Sequence, residues 1–298
     1  MSHANEAFRL TAAPPPVPRV PRFPLRRRIF SIAGWTTTAL ALILLTAAML
    51  GILEMVFVRG IGALVPATFT TITQGTGGGL LNAIEGTFVL SFGALLLAVP
   101  FGMAAGIYIS EYRNGWWAKT IRLLADVLVG VPSIVVGYVG YVTMVDWLGW
   151  NFSVAAGAIS LAVMSLPYIC RTTEMALQQV PGDLREAAFA LGAGESQVIF
   201  RICLPAALRA ILTGILLALA VSVGETAPLL YTAGWSNYLW DGKMTHSPVG
   251  YLTYAIWTFI SEPFASAHQL AYAAAFLVMA LVLLVHLAAR LVFDRHRR

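Results

Sequence analysis

The 298-residue sequence is 58% hydrophobic and only 11% charged, with a mean hydropathy of +0.77. A soluble domain carries about 25% charged residues, so an ordinary soluble enzyme is excluded and an all-α, polytopic membrane protein is indicated. The formal net charge of +5 follows the segments that flank the apolar runs and is no nucleic-acid signal.

Residues 1–28 are rich in Pro and basic side chains, among them Arg19, Arg22, Arg26, Arg27 and Arg28. They read as a disordered cytoplasmic tail near anionic lipid; the competing reading, a signal peptide, lacks a small-residue cleavage site at the expected distance. Residues 29–53 are uncharged and long enough to span, since about 20 apolar residues cross a bilayer core. Residues 54–79 lie outside and end in Gly75, Gly77, Gly78 and Gly79, a flexible lead-in to the second span at 86–110. That glycine cluster lacks the Lys and the helix of a phosphate loop.

An inside loop with Glu111, Arg113, Lys119 and Arg122 precedes the third span at 123–145, which carries Asp126 near its inner end. The fourth span, 147–170, follows a very short outside turn. A large inside loop, 171–209, leads to the fifth span at 210–231; residues 232–263 lie outside, and the sixth span is 264–289. Residues 250–261 are apolar but too short to cross, so they read as an interfacial or re-entrant helix. This topology puts all of the 19 Lys and Arg residues except Arg59 and Lys243 on the cytoplasmic side, with both termini inside. The chain thus divides into a tail (1–28), a first helix and outside segment (29–74), a transmembrane domain (75–292) and a short basic tail (293–298).

The stretch 181–205 interrupts the apolar pattern. Pro181, Gly182 and Asp183 open a short helix that carries Glu186, Ala187 and Ala188. Gly192 breaks it or admits another backbone. A second short helix follows, with Ile199, Ile202 and Cys203 on one apolar face, ended by Leu204 and Pro205. On physics alone the stretch is either a connector or a docking element.

The order Glu-Ala-Ala, three residues, Gly192, nine residues, Ile202, one residue, Leu204-Pro205 resembles the EAA loop of ABC-importer permeases. That resemblance implies a type I (MetI-like) permease fold, and a coupling helix that docks in a groove on a cytoplasmic ATPase. Further stretches resemble the PstA branch, the permeases of phosphate importers: GGGLLNAIEGT (77–87), VPFGMAAGIYISEY (99–112), GVPSIVVGYVGY (130–141), LPYICRTTEMALQQVP (166–181) and GETAPLLYTAG (224–234). The resemblance covers about 75–292. It implies a sibling permease (PstC-like), a pair of ATPase subunits (PstB-like) that hold ATP and magnesium, and an extracytoplasmic phosphate-binding protein (PstS-like). This chain would carry no cofactor of its own. The alternatives are an ABC permease for sulfate, molybdate or phosphonate, and a secondary transporter or channel without an ATPase.

No catalytic or metal-binding constellation can be assembled. The sequence has no Walker A motif, no G-x-S-x-G elbow and no H-E-x-x-H helix, and its five histidines are scattered. Cys170 and Cys203 make no metal set, and a disulfide is not expected on the cytoplasmic side. Candidate path residues remain. Arg171 and Glu174, three apart, share a helix face; they are either an anchor with a local ion pair or an anion contact, because guanidinium binds phosphate in bidentate fashion. Ser133 offers a hydroxyl beside the Pro132 kink. Glu225, followed by Thr226, is a carboxylate in an apolar run. It either pairs, stays protonated or bonds backbone freed near Pro228, or it serves gating.

Overall fold

The computed structural model describes residues 25–294. The long apolar runs become long helices because a bilayer offers no water to backbone groups, and a helix satisfies them internally. α1 (Leu25–Ala63) is followed by the short α2 (Pro66–Thr70), a two-stranded hairpin of β1 (Thr73–Gln74) and β2 (Gly77–Gly78), and α3 (Leu81–Glu111). Then come α4 (Trp116–Gly130), α5 (Ser133–Gly140) with a π-helical continuation (Tyr141–Trp147), and α6 (Val154–Gln178). The second half holds α7 (Gly182–Ala190), α8 (Glu195–Gln197) with a π-helical segment (Val198–Cys203), α9 (Leu204–Gly224), α10 (Ala227–Thr232), α11 (Leu252–Phe259) and α12 (Ala265–Asp294). Among the described residues five helices are long and apolar enough to cross a membrane, or six if the bent pair Trp116–Gly130 and Ser133–Trp147 is one span.

Residues up to Leu53 and residues from Glu54 onward are two compact units. In the first, the helix already begins at Leu25, so Arg26, Arg27 and Arg28 are helical rather than part of a disordered tail. The remainder of that tail, residues 1–24, and the basic end, residues 295–298, lie outside the described residues.

In the second unit α3 and α6 form a parallel pair. Gly102 faces Ile169 and Gly106 faces Thr173, where a Cβ would stand only 2.9 Å and 2.6 Å from the partner Cβ. The missing side chains let the two backbones close on each other. Leu90, Ala94 and Ala98 of α3 meet Leu161, Ala162 and Ile169 of α6, with Ala218 of α9 and Leu229 of α10, in the main apolar core. A second core joins α11 to α12 through Leu252, Ala255, Phe259, Ala267, Leu270 and Ala274.

Five expectations change. The third span is not one rod: α4 and α5 meet at 101°. Pro132 lacks an N–H and drives the preceding residue out of the helical region, and Val131 accordingly has φ −74 and ψ 126. The fourth span begins at Val154 rather than 147, because Tyr141–Trp147 continues the bent span and Ser153 caps α6 by accepting the Ala156 N–H at 3.4 Å. Pro205 does not end a helix. It stands in the first turn of α9, where proline is tolerated, directly after the π-helical segment. The fifth span instead stops at Gly224, since Glu225 turns extended (ψ 137). The glycine cluster at 75–79 is no loose lead-in: Thr73 pairs with Gly78 and Gln74 with Gly77, with positive φ at Gly75 (60) and Gly78 (82). The 250–261 segment does hold a helix too short to cross, α11, with Leu252, Thr253, Ala255 and Phe259 buried.

Candidate functional site: the coupling segment and the ion-pair cluster

At the Glu111 end of α3 two assemblies are built from charged residues. The first fixes α7. Arg185 donates through Nη1 to both Glu111 carboxylate oxygens, at 2.9 and 2.8 Å, and the Glu111 carboxylate holds the Arg185 guanidinium above its usual pKa range. Ala188 is buried with Ala176, Leu177, Val198, Cys203, Ala207 and Ile211. Arg185 and Ala188, one turn apart, are therefore the two inward grips of α7.

The opposite face is open. Glu186 and Ala187 are exposed, beside Leu184 (45% exposed), Phe189 (49%) and Leu191 (89%). The Glu-Ala-Ala run thus divides its labour: Ala188 packs inward while Glu186 and Ala187 are presented outward. Gly192 ends α7 with φ +82. Its N–H reaches the Phe189 carbonyl (2.9 Å), and the Ala193 N–H reaches the Ala188 carbonyl (3.1 Å). Those two bonds are a Schellman C-cap, which needs the left-handed conformation that glycine adopts without strain. A Cβ at Gly192 would meet nothing within 4 Å, so of the two expected roles the break applies and close backbone approach does not. Pro205 is exposed at the start of α9.

The second assembly is a chain of alternating charges between α4 and α6. Arg171 spans two carboxylates. Its Nη2 lies 2.6 and 2.8 Å from the Asp126 oxygens, its Nε 3.0 Å from Oδ1, and its Nη1 2.9 Å from Glu174 Oε2. Glu174 also accepts from Arg122 at Nη2 (2.6 Å) and Nε (3.1 Å), and from Gln178 at 3.0 Å. Its side chain is only 4% exposed, and an isolated carboxylate buried to that degree would be costly; two guanidinium groups and an amide compensate it. Sequence spacing paired Arg171 with Glu174 but missed Arg122 and Asp126. Those two stand four apart on α4 with opposite charge, a signal that was present in the sequence.

The remaining candidates lie elsewhere. Ser133 occupies the first turn of α5, and Glu225 and Thr226 form the break between α9 and α10. The two short helices touch through their backbones: a Cβ at Gly137 would stand 2.6 Å from the Pro228 Cα. The Glu225 carbonyl accepts from Thr253 Oγ1 at 2.8 Å. Among the described residues no hydrogen bond or ion pair links Ser133, Glu225 or Thr226 to Arg171 or Glu174.

Residues 98–298 match the family described as "Binding-protein-dependent transport system inner membrane component". The chain belongs to that family. Within it, "Phosphate transport system permease protein PstA 2" of Mycobacterium tuberculosis is 45% identical over 273 residues, covering 92% of this chain and 91% of its own. The PstA protein of Yersinia pestis is 41% identical over 269 residues, covering 87% and 90%. Two solved ABC transporters share the fold. A chain of the inward-facing MetNI methionine transporter aligns with TM-score 0.56 at 20% identity over 73% of this chain and 94% of that one. A chain of a bacterial transporter for the acidic polysaccharide alginate aligns with TM-score 0.61 at 16% identity over 92% and 100%. The protein is therefore a multi-pass permease subunit of the PstA branch with the MetI-like fold, a component of transport machinery.

Proposed function

We propose that this permease imports inorganic phosphate, as half of a translocation path whose other half is a sibling permease, and that α7 carries the work of a cytoplasmic ATPase pair into it. The substrate rests on the phosphate transport named for the relatives at 41–45% identity. The coupling role rests on one observation: α7 is braced from behind by Glu111–Arg185 and leaves Glu186 and Ala187 exposed on the far side, with Leu184, Phe189 and Leu191 exposed at its flanks. A short helix with exposed apolar side chains and the two exposed carboxylates of Asp183 and Glu186 is what a groove on a partner can grip.

ATP and magnesium belong to that partner. A push or pull on α7 passes through Arg185 into the end of α3 and through Ala188 into α6 and α9. The path then alternates between facing inward and facing outward. The distribution of Lys and Arg supports the orientation, with the α7 end and both termini in the cytoplasm and an extracytoplasmic phosphate-binding protein at the other end. In this reading the Arg171 fork, already engaged by Asp126 and Glu174, ties α4 to α6 in the described conformation. It meets phosphate only if that cluster opens.

The test is ATP-driven uptake into proteoliposomes holding this chain, its sibling permease and the ATPase, with labelled phosphate competed against sulfate. Uptake of phosphate that sulfate does not displace supports the assignment. Preference for sulfate would move the chain to another oxyanion.

A further inference from the structure

The turn between α3 and α4 carries a patch that neither the ion-pair chain nor the coupling segment uses. Residues 112–121, YRNGWWAKTI, hold two cations, Arg113 and Lys119, and no carboxylate. Both cations are exposed. Among the described residues neither side chain forms a hydrogen bond or an ion pair. The flanking carboxylates are already committed, Glu111 to Arg185 and Asp126 to Arg171. The charge of the turn is therefore not neutralised within the chain. Between the two cations stand Trp116 and Trp117, 68% and 61% exposed, with ring centroids 4.4 Å apart and edge-on. The Gly115 N–H closes the turn on the Tyr112 carbonyl at 2.9 Å, which holds Arg113 beside the start of α4. Trp116 and Lys119, three apart, share one face of that helix.

α4 itself is amphipathic in the inverse sense of a soluble helix. Ala118 and Ala125 are buried, and Arg122 and Asp126 pair with α6. Leu123, Leu124 and Val127 are exposed instead. A helix that turns its charges toward the protein and its apolar side chains outward is bedded in acyl chains. Its first turn then emerges at the level of the headgroups. That is where Trp and Tyr concentrate and where Lys and Arg meet lipid phosphates.

We propose that the α3–α4 turn binds the headgroup of an anionic phospholipid, with Arg113 and Lys119 on its phosphate and Trp116 and Trp117 seated at the level of its ester groups. The occupied site fixes the start of α4, and through it Arg122 and Asp126, so lipid charge sets how firmly the α4–α6 ion-pair chain is held. Charge complementarity selects the occupant. Two unpaired cations with no acid beside them favour an anionic headgroup over a zwitterionic one, whose own cation they repel. The Trp pair selects a bilayer lipid over free phosphate: an indole, apolar in body and polar at its N–H, gains at the bilayer interface and gains nothing from an ion in water. The inference rests on the importer reading for its sidedness, which places this lipid in the cytoplasmic leaflet.

The test reconstitutes the whole importer in phosphatidylcholine vesicles with and without phosphatidylglycerol, and reads lipid capture and transport separately. A photoactivatable phosphatidylglycerol should label the peptide that holds residues 112–119. Arg113→Gln with Lys119→Gln should lower that labelling about ten-fold or more, since each cation near an anionic surface is worth about five-fold. Arg113→Lys with Lys119→Arg keeps both charges and should label as the wild type does. Uptake-linked ATP hydrolysis should rise several-fold with phosphatidylglycerol in the wild type and in the exchanged variant, and stay flat in the double Gln variant. Arg26→Gln with Arg28→Gln, at the start of α1, should keep the rise, which separates this site from the attraction of any basic end. Unchanged labelling or a surviving rise in the double Gln variant would overturn the proposal. So would a rise abolished by the α1 variant, or labelling that excess inorganic phosphate blocks. Labelling needs neither cargo nor ATP, so it decides the site whatever anion the importer carries.

Discussion

The two ends of α3 are held by opposite chemistry. At the Leu81 end every grip on the 236–252 stretch is uncharged but one: the Asn82 amide on the Ser236 carbonyl, the Thr87 hydroxyl on the Leu252 N–H, the approach of Gly86 to Gly250, and a single carboxylate, Glu85, that accepts the Trp240 N–H. At the Glu111 end the grips are ion pairs, Glu111 with Arg185 and, nearby, the chain Asp126–Arg171–Glu174–Arg122. Between them lies a helix of 31 residues, about 46 Å long at 1.5 Å per residue. Buried neutral hydrogen bonds and touching backbones have one good geometry. The Glu111–Arg185 pair, with both side chains partly exposed, can part and re-form at lower cost than a buried pair, since water can solvate both partners. The first end is therefore a fixed mount and the second a joint, which is where a coupling helix that must move belongs.

The mount should break hardest. Gly86→Val puts a side chain where the Gly250 backbone already lies, and backbone cannot swing aside, so the outer loop should fail to close and assembled complex should fall to a small fraction. Size-exclusion yield checks this; a normal yield would mean that the α3–loop contact is dispensable. Next comes Glu174→Ala, which strips four hydrogen bonds and leaves Arg122 and half of the Arg171 fork without their acceptor. A loss of about 3 kcal/mol is expected, the low end for breaking a buried pair, because both arginines reach solvent. Thermal unfolding in detergent measures it. Arg171→Lys should cost less, about 1–2 kcal/mol, by removing the fork that binds Asp126 while keeping the charge. Phosphate uptake that falls further than this stability loss explains would assign Arg171 a contact with the anion.

The smallest stability effect is also the most discriminating. Since Gly192 serves a left-handed C-cap with open space around its Cα, Gly192→Ala and Gly192→Trp should cost the same, about 1 kcal/mol, and Gly192→Asn less. A much larger loss for Trp than for Ala would show that a neighbour does pack there.

Much of this was legible in the sequence, because apolar length is a strong signal. The six crossings and the short 250–261 helix follow from run length alone, and the short helix that Gly192 ends follows from the spacing of Pro181, Glu186 and Gly192. The breaks were less legible. Pro132 sat inside an apolar run and was read as a kink rather than a 101° bend, and nothing in VIFRIC announces a π-helical segment that carries the chain through Pro205. The ion-pair chain was half visible: spacing along α6 pairs Arg171 with Glu174, but only the α4–α6 packing supplies Arg122 and Asp126. The role of Glu85 in NAIEGT was not legible, because its partner, the Trp240 N–H, lies 155 positions away.

The central claim is that α7 transmits ATPase action through its exposed face, and Glu186→Lys tests it most directly. The side chain is exposed, so insertion and thermal stability should be unchanged. ATPase co-purification and ATP-driven phosphate uptake should both drop sharply, and a charge-reversing substitution on the ATPase groove should restore them. Wild-type uptake and wild-type ATPase retention in Glu186→Lys would contradict the account and leave α7 a connector.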